Sequence, residues 1–159
     1  MSSATIPLPK QSLTSVRAIL WGGLTDGTLD AVDGVIAFGT QGLNPLQVLQ
    51  YIASGALGKS AFQGGLATAT LGAAFHFMIA WVAAAVFVFA SRRLQFLKTQ
   101  AVLAGLLYGA AVYFFMNYLV LPLSAVAPAT FQLGLFLNGV IGHALFVGLP
   151  ISLFARRAQ

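Results

Sequence analysis

The chain has 159 residues, of which 58% are hydrophobic and 7% are charged, and this balance excludes a soluble globular domain. Its length can supply about four membrane spans of ~20 residues, but no separate soluble domain. Its formal net charge of +5 does not indicate nucleic acid, because nearly all the basic residues flank apolar segments. We therefore expect one transmembrane domain over 1–159, all-α, folded as an integral membrane four-helix bundle.

The spans are predicted from the apolar runs and from the breaks between them. They cover about residues 17–38, 64–90, 100–121 and 131–155. The residues before the first span include Pro7 and Pro9, and no small-residue cleavage site follows a short apolar core. We therefore expect that no signal peptide is removed. The chain contains no cysteine, which excludes disulfides, thiolate metal sites and cysteine nucleophiles.

The first span contains all three carboxylate side chains of the protein, Asp26, Asp30 and Asp33. Their spacing puts them on one face of an α-helix. An ionised aspartate at the centre of a span costs roughly 3 kcal/mol, so partners or protonation must offset this cost. Because neighbouring carboxylates repel one another in a low dielectric, we expect at least one of them to carry a proton or bind a cation.

A structural role for the same acids is also open, in which they accept hydrogen bonds and lock the bundle. The donors would be nearby polar side chains, namely Thr25, Thr28, Tyr113 and Asn117. The functional role is favoured, because structural hydrogen bonding needs only one such acid. Asp30, at the centre of the acidic face, is the first candidate for a binding or coupling carboxylate.

The connection between the first two spans predicts a short additional helix at about 44–55. Asn44 and Pro45 have the residue types of a helix N-cap and first turn, and apolar residues follow until Gly55 and Gly58. We expect an outer interfacial or re-entrant helix. Its role stays open between a gate, a lipid contact and an oligomer interface.

The second and fourth spans each carry one histidine, His76 and His143. At 1.5 Å per residue from the basic end of each span, both lie near the depth of Asp30 and Asp33, close to the midplane. Each histidine shares a helix face with small residues, so an interhelical hydrogen bond is the simplest role. Two alternatives are bis-histidine ligation of a b-type haem and a metal site that adds Asp30 and Asp33. The sequence gives no positive indication of a cofactor.

The third span adds Asn117, which shares a face with Gly109 and Tyr113. Pro122 is expected to stop this span, and Pro150 to kink the fourth. Together the polar residues predict an intramembrane polar site made of Asp26, Asp30, Asp33, His76, Asn117 and His143.

Two glycine-containing steps suggest an internal repeat. The glycine pair of 23–27 recurs at 105–109, and the Gly-to-His step of 72–76 recurs at 139–143. The two halves would then be parallel repeats about an axis along the membrane normal. The acids have no counterpart in the second half.

The basic residues lie almost entirely on one side of the expected membrane. That side carries Lys10, Arg17, Arg92, Arg93, Lys98, Arg156 and Arg157. The opposite side carries only Lys59. This positive-inside pattern predicts that both termini are cytoplasmic.

Several segments resemble those of a group of small, four-span, uncharacterised bacterial inner-membrane proteins. The segments are residues 22–30 (GGLTDGTLD), 50–55 (QYIASG), 62–65 (FQGG), 76–77 (HF), 116–118 (MNY) and 148–150 (GLP). The resemblance covers nearly the whole chain. It implies a multi-pass protein of the bacterial inner (plasma) membrane with four helices, and it implies no activity.

We do not expect an enzyme, because the sequence contains no Gly-rich phosphate loop, Walker-type lysine or nucleophile with a positioned base. The leading hypothesis is a small transporter or channel for protons, cations or a small polar solute. Its expected partners are membrane lipids and further copies of itself in a homo-oligomer, with no nucleic acid. The alternatives are a non-catalytic membrane scaffold or assembly factor and, third, a haem- or metal-binding redox protein.

Overall fold

A computed structural model describes residues 14–158 of the chain, so Lys10 and the prolines at positions 7 and 9 lie outside the described part. The prediction of an all-helical class is confirmed for this part of the chain. Its α-helices, in chain order, are α1 (Ser15–Gly39), α2 (Pro45–Leu57), α3 (Gly65–Arg93), α4 (Phe96–Thr99), α5 (Ala101–Leu123) and α6 (Leu133–Arg156). A 3₁₀ helix (Gly58–Gln63) joins α2 to α3.

Three of these helices, α3, α5 and α6, are long and apolar enough to cross a membrane. This agrees with a membrane protein. The helix α1 is comparably long, at 25 residues or about 37 Å. It is not among the three, since Arg17 and the three aspartates make it too highly charged. A fourth span is therefore still a prediction.

The first pair of helices, α1 and α3, packs closely through two glycines of α1. A Cβ atom at Gly23 would overlap the side chain of Trp81, and one at Gly27 would lie 2.9 Å from Phe77 Cδ1. Trp81 also donates its indole N–H to the backbone carbonyl of Leu20, at 3.3 Å. Small residues at these positions let the two helices approach, as is common between membrane helices.

The second pair, α5 and α6, approaches even more closely, with backbone against backbone. A Cβ atom at Gly109 would overlap the carbonyl of His143, and one at Gly148 would overlap the carbonyl of Gly105. The glycine pairs at 23–27 and 105–109, which suggest a repeat in the sequence, both lie at a contact between two long helices. Each glycine pair lets the next long helix of its own half approach closely.

All four long helices meet at one end of the molecule, which we call the basic end. There Ala18 of α1, Phe87 of α3, Ala104 of α5 and Ile151 of α6 belong to one buried apolar cluster. Close by, the Lys98 ammonium donates to the backbone carbonyl of residue 158, at 2.9 Å. Arginines end α3 and α6 at this same end, so a dry core closes the basic end.

Both α5 and α6 contain a wide π-helical turn shortly before a proline. The turns cover Met116–Val120, ahead of Pro122, and His143–Gly148, ahead of Pro150. Proline lacks the N–H that would bond the preceding turn, and a π turn is one way for a helix to accommodate this gap. Pro122 is expected to stop the third span, and α5 ends one residue beyond it, at Leu123.

The short helix α2 begins at the expected cap. The Asn44 side chain accepts from the N–H of Gln47, and the Gln47 side chain accepts from the N–H of Asn44, both at 3.0 Å. It ends at Leu57, and the capping residue that follows is Gly58, whose φ of +60° suits glycine. In between, α2 lies directly on α3, since a Cβ atom at Gly72 would overlap the Leu49 carbonyl.

Candidate functional site

A cavity of about 800 Å³ separates the two helix pairs beyond the basic end. Helices α1, α2 and α3 form one side, and α5 and α6 form the other. The cavity reaches Val147, a member of the basic-end core, and extends to the exposed connection between α5 and α6 around Gln132. All six residues predicted from the sequence line it, namely Asp26, Asp30, Asp33, His76, Asn117 and His143.

Asp26 is the most deeply buried of the three acids, with 1% of its surface exposed. Its Oδ1 accepts from the backbone N–H of Gly27 at 2.7 Å. Its Oδ2 is buried and has no hydrogen-bond partner in the described part of the chain. A buried carboxylate oxygen without a partner is costly, so this atom marks a place where a donor or a cation would be stabilised.

Asp30 lies one helical turn further along the cavity and faces His143. Its Oδ1 is 3.6 Å from His143 Nδ1, and both side chains are about one-fifth exposed. This distance is too long for a hydrogen bond but short enough for an ion pair when the imidazole is protonated. The His143 ring packs edge-to-face on Tyr113, with the centroids 5.4 Å apart.

Asp33, the third acid, is paired with an amide that the sequence analysis did not select. Asn138 Nδ2 donates to Asp33 Oδ2 at 2.9 Å, across the cavity from α6 to α1. Gly142 leaves room for this carboxylate, because a Cβ atom there would lie 2.5 Å from Asp33 Oδ2. The signal that could have indicated Asn138 is an amide inside an otherwise apolar run, five residues before His143.

His76 bonds to the backbone of the acidic helix rather than to an acid. Its Nε2 lies 2.7 Å from the carbonyl oxygen of Gly27. Because a carbonyl only accepts, this nitrogen carries the proton. The bond joins α3 to α1, which is the interhelical role expected for a histidine on a small-residue face. It also occupies the nitrogen that would otherwise be free to bind iron in a haem.

A metal site made of two aspartates and two histidines is not assembled. Across residues 14–158, no group of three or more acidic or imidazole side chains is arranged to hold a metal ion. His143 faces Asp30, while His76 is directed to a backbone carbonyl. The two histidines therefore act on different parts of α1.

The donors proposed for a structural role of the acids point elsewhere. Thr28 Oγ1 donates to the Leu24 carbonyl at 2.7 Å, and Asn117 Nδ2 donates to the Tyr113 carbonyl at 3.0 Å. Thr25 lines a separate small cavity beside Arg157. Within residues 14–158, none of the four expected side chains donates to an aspartate, so that part of the expectation is wrong. The acceptor that each donor reaches depends on the rotation of its helix about its own axis, and this rotation could not be predicted from the sequence.

The cavity is lined by acidic side chains, but no lysine or arginine among residues 14–158 lines it. Within residues 14–158, the one basic side chain at ion-pair distance from an aspartate is the imidazole of His143, 3.6 Å from Asp30 Oδ1. The charge of the carboxylates is therefore offset by protons, by His143 or by something that enters the cavity.

No protein-family model, curated protein or solved structure matches this chain. Its three long apolar helices agree with a membrane protein. Its function has to be argued from the chemistry of the cavity.

Proposed function

We propose that this chain is a small four-span transporter or channel of the bacterial inner membrane that carries protons, cations or a small polar solute. The observation that supports this most is the set of three carboxylates facing one cavity that no lysine or arginine lines in the described residues. Burial without a fixed counter-ion favours the uptake of a positive species. Asp30 is the proposed binding or coupling carboxylate, because it lies between the other two.

The fourth span in this proposal is α1. Its acids face the cavity, whereas the side chains on its outer surface are apolar and well exposed, as at Val16 (65%), Val32 (55%) and Ile36 (65%). An apolar outer face suits contact with lipid, and the inward acids suit a protein-lined interior. The helix also packs against both α3 and α6, so it occupies the place of a bundle member.

The orientation follows from the charges. Arginines and a lysine gather at the basic end, and Lys59 lies in the 3₁₀ helix at the other end of α3. With the basic end in the cytoplasm, the cavity would open toward the outer side of the membrane. The helix α2 would then lie at the outer surface, forming one wall of the opening.

The acids offer successive positions along the cavity. Helical rise places Asp26 about 6 Å from Asp30 along the axis, and Asp30 about 4.5 Å from Asp33. An entering proton or cation would meet Asp33 with Asn138, then Asp30 with His143, and then Asp26. The dry core at the basic end blocks further passage, so transport would need the two helix pairs to separate there.

Homo-oligomerisation is part of the same proposal. Four helices enclose only a narrow interior, and a chain with 17 glycines suits close contact between protomers. A dimer or higher oligomer would surround the cavity opening with further protein.

The transport test uses purified protein in liposomes that contain a pH-sensitive dye. We expect a pH gradient to drive proton flux that the dye reports, and Asp30→Asn to lower that flux by at least about tenfold. The matched control is Val32→Thr, an isosteric change on the exposed face of α1, which should keep normal flux.

Two results would contradict the proposal. Unchanged flux in Asp30→Asn would remove this residue from its assigned role. An absence of flux, together with a protein partner that co-purifies in fixed ratio, would instead support the scaffold or assembly factor.

A further inference from the structure

We propose that the cavity binds a monovalent organic cation, in which an ammonium or similar onium group is attached to an apolar body, in preference to a bare inorganic ion. This inference rests on the proposed function and names its substrate class. Three features support this substrate class: the size of the cavity, an unpartnered buried carboxylate at its inner end, and the aromatic side chains along its walls.

The size and shape of the cavity disfavour a bare ion. Its volume of about 800 Å³ falls in the range of roughly 300–1,000 Å³ that is typical of sites for organic molecules. A small hard cation needs six or more oxygen ligands within about 2.6 Å. The three acids are instead spread over about 10 Å of helix axis. No three of the acidic and imidazole groups in residues 14–158 converge on one point.

The place for the charged group is the inner end of the cavity. Asp26 is 99% buried, and its Oδ2 has no hydrogen-bond partner in the described residues. One turn further out, the Asp30 carboxylate is 3.6 Å from His143 Nδ1, which is also without a hydrogen bond. A positive group between Asp26 and Asp30 would give both carboxylates an opposite charge.

The place for the apolar body is further out, between two aromatic groups. On one side Tyr113 and Phe136 pack with ring centroids 5.9 Å apart. On the other side Phe38 and Tyr51 pack with centroids 5.5 Å apart. All four line the cavity. Aromatic rings bury apolar surface and also attract cations through their faces, so they complement an onium compound better than a hydrated metal ion.

The same chemistry has two sources, a soluble organic cation and the amine headgroup of a membrane lipid. The first would enter from the opening near Gln132, and the second from the surrounding bilayer. The experiment below separates them.

The test measures equilibrium binding of radiolabelled tetraphenylphosphonium to the full chain in a non-ionic detergent, with empty micelles subtracted. We expect saturable binding that unlabelled triphenylphosphine oxide does not displace, because this neutral compound has a similar aryl body and no net charge. Asp26→Asn and Asp30→Asn should each weaken binding by on the order of tenfold or more. The control Val32→Thr should bind like the wild type.

Competition identifies the source of the cation. Displacement by dihexanoyl phosphatidylethanolamine, but not by dihexanoyl phosphatidylglycerol, supports a lipid amine. Displacement by neither lipid supports a soluble cation. Both results support the inference. If an aspartate variant fails to fold, competition by triphenylphosphine oxide against the wild-type chain still tests it.

Three outcomes would overturn the inference: no saturable binding, equal displacement by triphenylphosphine oxide, or displacement by millimolar sodium, potassium or magnesium. Binding needs no gradient, so its failure is distinct from a failure of transport. Proton or sodium flux without tetraphenylphosphonium binding would reject the substrate class and leave the proposed function standing. Tetraphenylphosphonium binding without any flux would support the substrate class and contradict the proposed transport function.

Discussion

The basic end and the cavity half are built from the same four long helices, yet the helices meet differently in each. At the basic end, small side chains such as Ala18 and Ala104 let all four helices close around Phe87 and Ile151. In the cavity half, the two pairs are joined by the hydrogen bond from Asn138 to Asp33, and the space between them is lined by acids, amides, aromatic rings and aliphatic side chains. Close apolar packing and the acidic side chains therefore lie at different levels along the four long helices.

This separation has a physical reason. Close apolar packing gains free energy from many dispersion contacts, and it leaves no room for water or a ligand. Buried carboxylates lose free energy unless something offsets their charge, so they weaken the fold where they lie. We therefore expect substitutions at the basic end to reduce stability and substitutions in the cavity to change binding.

The largest effect is expected for Phe87→Ala. This ring is 2% exposed and packs on Tyr108, with centroids 5.0 Å apart. Its removal should lower the free energy of unfolding by roughly 3–5 kcal/mol, measured by denaturant titration in detergent micelles. The matched cavity change, Phe136→Ala, should cost clearly less, because that ring already borders open space. Equal losses would mean that the two halves are packed alike.

A smaller effect is expected when a methyl group is added to a glycine. In Gly148→Ala the new Cβ would collide with the Gly105 carbonyl, and the helix pair would have to move apart. We expect a loss of about 1–3 kcal/mol in the same titration. In Gly34→Ala, on the cavity side of α1, nothing lies within 4 Å of the new atom. A similar loss in both variants would contradict the division into a dry end and an open half.

The smallest effect is expected for His76→Phe, which keeps a ring and removes the hydrogen bond to Gly27. Interhelical hydrogen bonds in membranes contribute on average about 0.6 kcal/mol, so the loss of stability should stay below roughly 2 kcal/mol. The comparison variant is His143→Phe, because His143 Nδ1 has no hydrogen-bond partner within residues 14–158. It should leave stability nearly unchanged and should alter binding instead. A loss of stability in His143→Phe together with altered binding in His76→Phe would exchange the roles assigned to the two histidines.

The positions of the helices could be predicted because hydrophobic runs and caps are local signals. Asn44 and Gly58, for example, bound α2 by their own side-chain and backbone chemistry. The common depth of the acids and histidines followed from helical rise alone, and the structure brings them to one cavity.

The hydrogen-bond partners could not be predicted in the same way. The pairing of Asp33 with Asn138 depends on how α6 is rotated, and this rotation is set partly by the backbone contact between Gly109 and His143. The π turn that begins at His143 also changes which side chains face α1. A single sequence contains the residues of these contacts, but not the relative rotation of distant helices.

The most direct test of the account asks whether the acids face water on one side of the membrane only. The chain has no cysteine, so Asp30→Cys introduces a single thiol, and Val32→Cys provides a control on the exposed apolar face of α1. Both are treated with a membrane-impermeant, water-soluble thiol reagent in right-side-out and inverted vesicles. We predict that Cys at position 30 is modified from the outer side only and that Cys at position 32 is modified from neither side. Modification at position 32 but not at position 30 would contradict the central claim that the aspartates face a protein-lined cavity while the opposite face of α1 faces lipid.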